Sequence, residues 1–404
     1  MKTRLLLLML LTTLAVQAQN CILSPRFQSL TAIVNGDWLN HPVMTLGTDD
    51  VLTIGFDELS HNYRRLICHI DHCEWDWTLS DGLFESEWLE GFNDLPIEEY
   101  QNSINTTVLY THYQLTLPND RCQLRMSGNY RLTITDEDAD GEEVLQVCFY
   151  VVEPLMEVGL GVTSNTDVDH NQSHQQVSMA LNYGMLRVTH PDDQLHTVVM
   201  QNWRNDNARR DIPPTLTNMK GLEWQHCRGL IFDAGNEYHK FEVLDVTHPT
   251  MGIDRIVWDG HHYQAYPFTA QVRRNYLTDV DADGAFCIRN SERSESDYTC
   301  EYIYVNYTLQ APYQGPLYIG GHWATNRDRD TYLMQYDGAK GIYYTRLLQK
   351  QGYYSYNYLT SQGTTPASEG SFYQTENRYQ ALIYYKDLGA RTWRLVGYRA
   401  AEFR

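Results

Sequence analysis

Gly341-Ile342-Tyr343-Tyr344-Thr345-Arg346-Leu347-Leu348, then Gln351-Gly352, then Tyr353-Tyr354-Ser355-Tyr356-Asn357-Tyr358-Leu359 is the stretch that decides the fold class. Aromatic and branched residues crowd both halves, as strands prefer. In the second half Tyr354, Tyr356 and Tyr358 fall on one face, and Tyr353, Ser355 and Asn357 on the other. That is the period of two that a pleated strand imposes. Gln351-Gly352 reads as the turn of a hairpin, with 353–359 as its returning strand.

The same signature recurs outward from this stretch. Strands are expected at 51–56, 66–77, 109–117, 130–135 and 144–152, with 136–141 as a hairpin turn. Further strands are expected at 177–181, 196–201, 241–246, 265–268, 301–309, 317–320, 379–385 and 393–398. Only 95–104 reads as non-strand, one or two helical turns. The polar segment 205–214, with Pro213-Pro214, reads as an exposed loop. Long amphipathic helices are absent. Many short strands between Gly and Pro turns predict an all-β protein of tandem β-sandwiches, immunoglobulin-like or early-set-like. Pro154 and Ala311-Pro312 mark the expected divisions: 19–153, 154–311 and 312–404.

Residues 1–18 read as a secretory leader: basic Lys2 and Arg4, an apolar run from Leu5 to Leu11, and Val16-Gln17-Ala18 before the cut. The run is too short to span a bilayer, which takes about 20 residues. Gln19-Asn20 ahead of Cys21 lacks the small residues that precede a lipid-anchored cysteine. No other stretch is apolar and long enough for a membrane helix. The formal charge is −20 and becomes −22 once Lys2 and Arg4 are gone. A chain so acidic repels phosphates and anionic lipid headgroups, so nucleic acid is excluded as a partner. Tyr dominates the aromatics, 30 against 11 Phe and 9 Trp, which suits half-buried strands. The eight cysteines allow 105 full pairings in an oxidising compartment. Cys287 and Cys300 flank what reads as one hairpin and are the first choice for a pair. The chain is long enough to bury a core without any bridge.

Four features invite chemistry. Cys68-His69-Ile70-Asp71-His72-Cys73 has zinc-ligand residues, but on a strand they divide between two faces and cannot converge on one ion. Asp136-Glu137-Asp138-Ala139-Asp140-Gly141 and Asp279-Val280-Asp281-Ala282-Asp283-Gly284 resemble the opening of a calcium loop. Their twelfth positions hold Val147 and Asn290 in place of a bidentate carboxylate. Asp-rich hairpin turns explain both. Trp323, Tyr343, Tyr344, Tyr354 and Tyr356 are candidates for a flat sugar-stacking platform, or simply for core. No nucleophile elbow, zinc-protease helix or phosphate-binding loop occurs, and nothing singles out a glycosidase carboxylate pair. No catalytic residue, metal ligand or cofactor is assigned, and no binding residue is known.

Several stretches resemble the plug protein family of the type IX secretion system. They are 72–78 (His-Cys-Glu-Trp-Asp-Trp-Thr), Gly91-Phe92-Asn93, Asn105-Thr106, 110–119, Ser127-Gly128-Asn129-Tyr130 and 149–153. Beyond them come Val199-Met200-Gln201-Asn202, Ala234-Gly235-Asn236-Glu237-Tyr238, 279–284, Lys350-Gln351-Gly352-Tyr353-Tyr354 and 369–377. The resemblance implies a non-enzymatic periplasmic protein, peripheral to the outer membrane, that binds and seals the periplasmic mouth of the translocon barrel. It implies no catalytic residues. Residues 318–323, 334–337 and 352–356 are also similar to the early-set sandwiches attached to amylases. That likeness concerns fold, and a carbohydrate-binding accessory protein at the outer membrane or cell surface is the alternative function.

Overall fold

The computed structural model describes residues 19–292, 295–324 and 329–404. The expected leader, 1–18, lies outside the described residues. The protein is all-β. Its α-helices, Glu85–Trp88, Pro191–Gln194 and Ser296–Thr299, are single turns. Among the described residues no helix is long and apolar enough to cross a membrane.

The first sandwich is built from strands between Cys21 and Val152. One sheet runs in the order Cys21–Ile22, Glu142–Val152, Gly128–Asp136, Leu66–Cys73, Leu95–Pro96, with Val43–Thr45 parallel to Glu142–Val152. The facing sheet is Phe27–Val34, Leu52–Glu58, Thr111–Leu117, Glu99–Asn102. Alternation places Ile54, Phe56, Tyr113 and Leu115 from one sheet against Ile70, Tyr130, Leu132 and Phe149 from the other. The hairpin at 136–141 forms as expected, with a bulge at Ile134/Thr135. The helical expectation over 95–104 is wrong: Leu95–Pro96 and Glu99–Asn102 are short edge strands. Pro96 removes a backbone donor, which an edge position tolerates.

The remaining sheets do not divide at Ala311. Tyr302–Gln310 pairs along its whole length with Ile342–Lys350, across the expected boundary. Leu195–Gln201 pairs with Asn377–Tyr385, which pairs in turn with Arg394–Phe403. The second sandwich is therefore built from both ends of 154–404. Its sheets are Glu157–Thr163, His174–Asn182, Gly221–Trp224, Leu216–Asn218 and, facing it, Arg209–Arg210, Leu195–Gln201, Asn377–Tyr385, Arg394–Phe403. A third sandwich is inserted between them, from about His239 to Thr360. Pro312 marks only a loop inside it.

The opening stretch also behaves differently from a hairpin. Ile342–Lys350 belongs to one sheet of the third sandwich, with Tyr302–Gln310 and Gln335–Asp337. Gly352–Thr360 belongs to the other, with His239–Val243, Phe286–Ile288 and Leu317–Gly320. The chain turns a corner between layers at Gln351. A Cβ on Gly352 would lie 2.2 Å from the Cys287 carbonyl oxygen, so only glycine lets the strand approach there. For the same reason Cys287 and Cys300 do not flank one hairpin. Cys287 sits in a strand of the second of these layers, and Cys300 leads into a strand of the first.

Four sheets stack in succession through the first two sandwiches. Cys73, Cys148, Tyr150 and Val152, on the outer face of the first sandwich, pack on Val198, Met200, Leu382, Tyr384 and Leu395. The opposite face of that second-sandwich sheet, with Val199, Tyr379, Ala381 and Ile383, packs on Val177, Met179, Leu181 and Trp224. Strand Asn377–Tyr385 is thus buried on both faces, and its second half, Ala381 to Tyr385, reads as an unbroken apolar and aromatic run.

Candidate functional site

The polar chemistry of the molecule concentrates where the sandwiches meet. In Leu52–Glu58, Ile54 and Phe56 face the first core, which turns Asp57 to the other side. His112 stands directly opposite it on the neighbouring strand. Its Nδ1 is 2.7 Å from Asp57 Oδ1. The third sandwich supplies the rest. Tyr302 and Lys350 are cross-strand neighbours. The Tyr302 hydroxyl donates to Asp57 Oδ2 and lies 2.7 Å from Ser29 Oγ, and Lys350 Nζ lies 2.6 Å from Asp57 Oδ2. Lys350 also donates to the Asp297 carbonyl and stands 4.1 Å over the Tyr110 ring. Burial alone would raise the Asp57 carboxyl, but the Lys350 charge and the His112 bond outweigh it and hold it below the usual carboxylate range. Burial and the Asp57 charge push the Tyr302 phenol well up, so it keeps its proton and donates it to Asp57.

Around this ion pair the backbone is also tied. Glu301 accepts from the amides of Thr107 and Val108, at 2.5 and 3.2 Å. The Tyr110 hydroxyl donates to the Cys300 carbonyl at 2.7 Å. All three sandwiches meet at a second point. His41 of the first stacks on Trp203 of the second, 4.6 Å between ring centres, and meets His322 of the third edge-on at 5.1 Å. Burial lowers both imidazoles, His322 to about 4. Both are therefore neutral rings packed as aromatic surface at neutral pH.

The stretch 72–78 lies on the seam to the second sandwich. Trp75 stacks on His196 at 3.8 Å, and Glu74 accepts from the Thr392 hydroxyl and the Trp393 amide at 2.8 and 3.0 Å. Trp77 is buried there with a left-handed backbone, φ 69°. A bulky residue in that region is strained, and the surrounding packing has to hold it. These contacts are what the sequence reading missed. The local signal is slight, a charged residue at the end of an apolar strand: Asp57 after Phe56, and Lys350 after Leu347-Leu348-Gln349.

The sequence candidates disperse. Along Leu66–Cys73, Cys68 and Ile70 enter the first core, His69 and Asp71 face outward, and Cys73 enters the layer beyond. His72 is bound by Ser80 Oγ at 2.8 Å. In the first acidic loop Asp136 accepts from the Asp138 amide and pairs with Arg64 and Arg26, while Asp138 pairs with Arg65. In the second, Asp279 pairs with Lys240, and Asp281 accepts from the amides of Asp283 and Tyr238. Both loops thus spend carboxylates on their own turns. Among the described residues no three His, Cys, Asp or Glu side chains gather as a metal-holding group. The aromatic platform is corrected: Trp323, Tyr343, Tyr354 and Tyr356 are buried, and only Tyr344 is exposed, at 41%. The Cys287–Cys300 pairing is corrected too, since the eight cysteines are present as thiols.

A crystal structure of a hypothetical protein from Parabacteroides merdae is similar throughout. The identity is 34%, the TM-score 0.91, and the match covers 95% of this chain and 99% of that one. None of the curated proteins compared with the chain matches it. Residues 27–153, the first sandwich with its Asp57 face and its Trp75 seam, match the family described as "Type 9 secretion system plug protein 1st domain". That match places the chain, through its first domain, in the type IX secretion system plug family, which points to a role in type IX secretion.

Proposed function

We propose that this protein is a non-catalytic stopper in the periplasm, held peripherally at the outer membrane, that binds and seals the periplasmic mouth of the type IX secretion translocon barrel. The observation that carries the reading is the match of the first sandwich to the plug family. The seams support it physically. A stopper for a wide pore has to keep its shape, and the buried Asp57–Lys350 pair, the His41–Trp203–His322 contact and the shared layer of Asn377–Tyr385 join three sandwiches into one body. Sealing by such a body needs surface complementarity and no bond-making step. Occupancy of the pore mouth then alternates between plug and exported substrate, each shifting the population of the other.

The test is recovery of the barrel with affinity-tagged protein from outer-membrane extract, with and without a blocked export substrate. The barrel is expected with the protein when substrate is absent and to be lost when substrate fills the pore. Recovery of no barrel under either condition, with outer-membrane permeability unchanged in a deletion strain, would overturn the reading.

A further inference from the structure

A wide groove of ≈ 690 Å³ opens on the third sandwich, between His239–Val243 and the segment from Pro267 to Asp279. Its volume falls in the range of about 300–1,000 Å³ typical of built ligand sites. Three large apolar side chains stand out at its wall: Phe268 is 63% exposed, Leu277 76% and Met251 42%. Apolar surface gathered at a concavity marks a binding surface more than scattered leucines do.

The charge of the groove runs against that of the chain. Acidic residues outnumber basic ones 51 to 31 overall, yet Lys240, Arg273 and Arg274 line this groove with Asp279 as its one carboxylate. Lys240 is neutralised by Asp279, 2.6 Å away. Arg273 is fixed from behind: it pairs with Glu369, donates to the Glu237 carbonyl at 2.7 Å and meets His239 Nε2 at 2.7 Å. Its Nε is buried without an acceptor. Arg274 is exposed and has no hydrogen bond or ion pair among the described residues. The groove therefore presents apolar contacts beside one exposed guanidinium with its donors free, Arg274, the donor set that takes a carboxylate.

We propose that this groove docks an extended segment of a partner protein in which apolar and acidic side chains alternate, the apolar ones against Phe268, Leu277 and Met251 and a carboxylate on Arg274. An extended chain places successive side chains on opposite sides, so one segment reaches the apolar wall and Arg274 together. An anionic membrane fits less well. Attraction to such a surface is about 1 kcal/mol per basic residue. At this groove Arg274 alone is unpaired, so a membrane would gain about that much and no more from charge. The inference does not depend on the stopper reading.

The test uses the full chain and a fluorescein-labelled hexapeptide of alternating Asp or Glu and Phe or Leu, followed by fluorescence anisotropy. A peptide with Lys in place of every acid is the control. The acidic peptide is expected to bind saturably, at least tenfold tighter than the control. Arg274→Glu and Phe268→Ser, both at exposed positions, are each expected to weaken it tenfold or more with the melting temperature unchanged. No saturable binding of the acidic peptide, or binding that both variants leave intact, would overturn the proposal. So would tighter binding to phosphatidylglycerol vesicles lost in Arg274→Glu, or a self-association lost in Phe268→Ser. Barrel recovery from membranes reads the stopper function separately.

Discussion

Lys350 Nζ lies 2.6 Å from Asp57 Oδ2, and the two side chains, 1% and 0% exposed, form a sealed ion pair between the first sandwich and the third. Taking both charges out of water costs several kcal/mol, offset here by Tyr302, His112, Ser29 and the Asp297 carbonyl. Removing one partner strands the other. Asp57→Asn or Lys350→Met is expected to destabilise by about 3–5 kcal/mol, and the double variant by less than the two losses combined. Denaturant unfolding of the four proteins checks this. Strict additivity would mean that the charges do not act as a pair. The sign with pH follows from the depressed Asp57 carboxyl. Its contribution is present above the unfolded value and is lost as pH falls through the folded one.

Asp281 and Asp283 carry the opposite dependence. Burial, with the Asp283 charge second, pushes Asp281 up to about 8, and burial pushes Asp283 up to about 7 against the pull of Arg378. In the unfolded chain both ionise near about 3.9. Between these values the folded state holds protons that the unfolded state has released, so this pair costs stability as pH rises from about 4 to 8. Asp283→Asn removes its own share and the repulsion on Asp281. Its unfolding free energy is expected to fall less steeply than the wild type's between pH 5 and 8, and a parallel profile would refute the assignment.

Thiol chemistry checks the cysteines. Burial pushes Cys73, Cys148 and Cys300 up to about 12 and Cys122 to about 11, which suppresses the reactive thiolate. Ellman titration of the denatured, unreduced protein is expected to count eight thiols. In the native protein the part-exposed Cys21 and Cys287 are expected to react first. A count of six would establish a bridge.

Gly91 has φ +106°, and a Cβ there would lie 2.1 Å from the carbonyl oxygen of Arg121, the residue just before the strand Cys122–Leu124 that pairs with it. Gly91→Ala forces that pairing apart or bends the loop that carries Phe92. A loss of about 1–3 kcal/mol is expected from the denaturation midpoint, against little change for Gly47→Ala in thermal shift beyond its own backbone strain, since nothing lies within 4 Å there.

The sequence is legible where one strand face is buried and the other wet. Thr111–Leu117 alternates without a break, and Leu66–Cys73 sorts its cysteines and histidines between faces as its pattern implies. Phe27–Val34 and Glu157–Thr163 went unread for different reasons: a bulge at Gln28 and Ser29 breaks the alternation of one, and in the other Val158, Leu160 and Val162 face the core but Gly159 and Gly161 on the opposite face weaken the strand signal. Pairing partners were the larger gap. Nothing local in Gln351-Gly352 distinguishes a hairpin from a corner between layers, and nothing in Asn377–Tyr385 says that it completes a sheet begun at Leu195. The seam shares that difficulty. Asp57 at a strand end looks like any solvated edge charge until Lys350 is brought to it.

The insertion of the third sandwich sets a clock on folding. Leu195–Gln201 leaves the ribosome, and crosses any membrane, long before its partner Asn377–Tyr385. Until that partner arrives, its apolar face and its row of backbone donors and acceptors stand open. Non-local pairing of this kind slows acquisition of the native state and leaves sticky edges in the interval. The nascent chain therefore has a long vulnerable stage, and holdase chaperones have their work in the delay between those two strands.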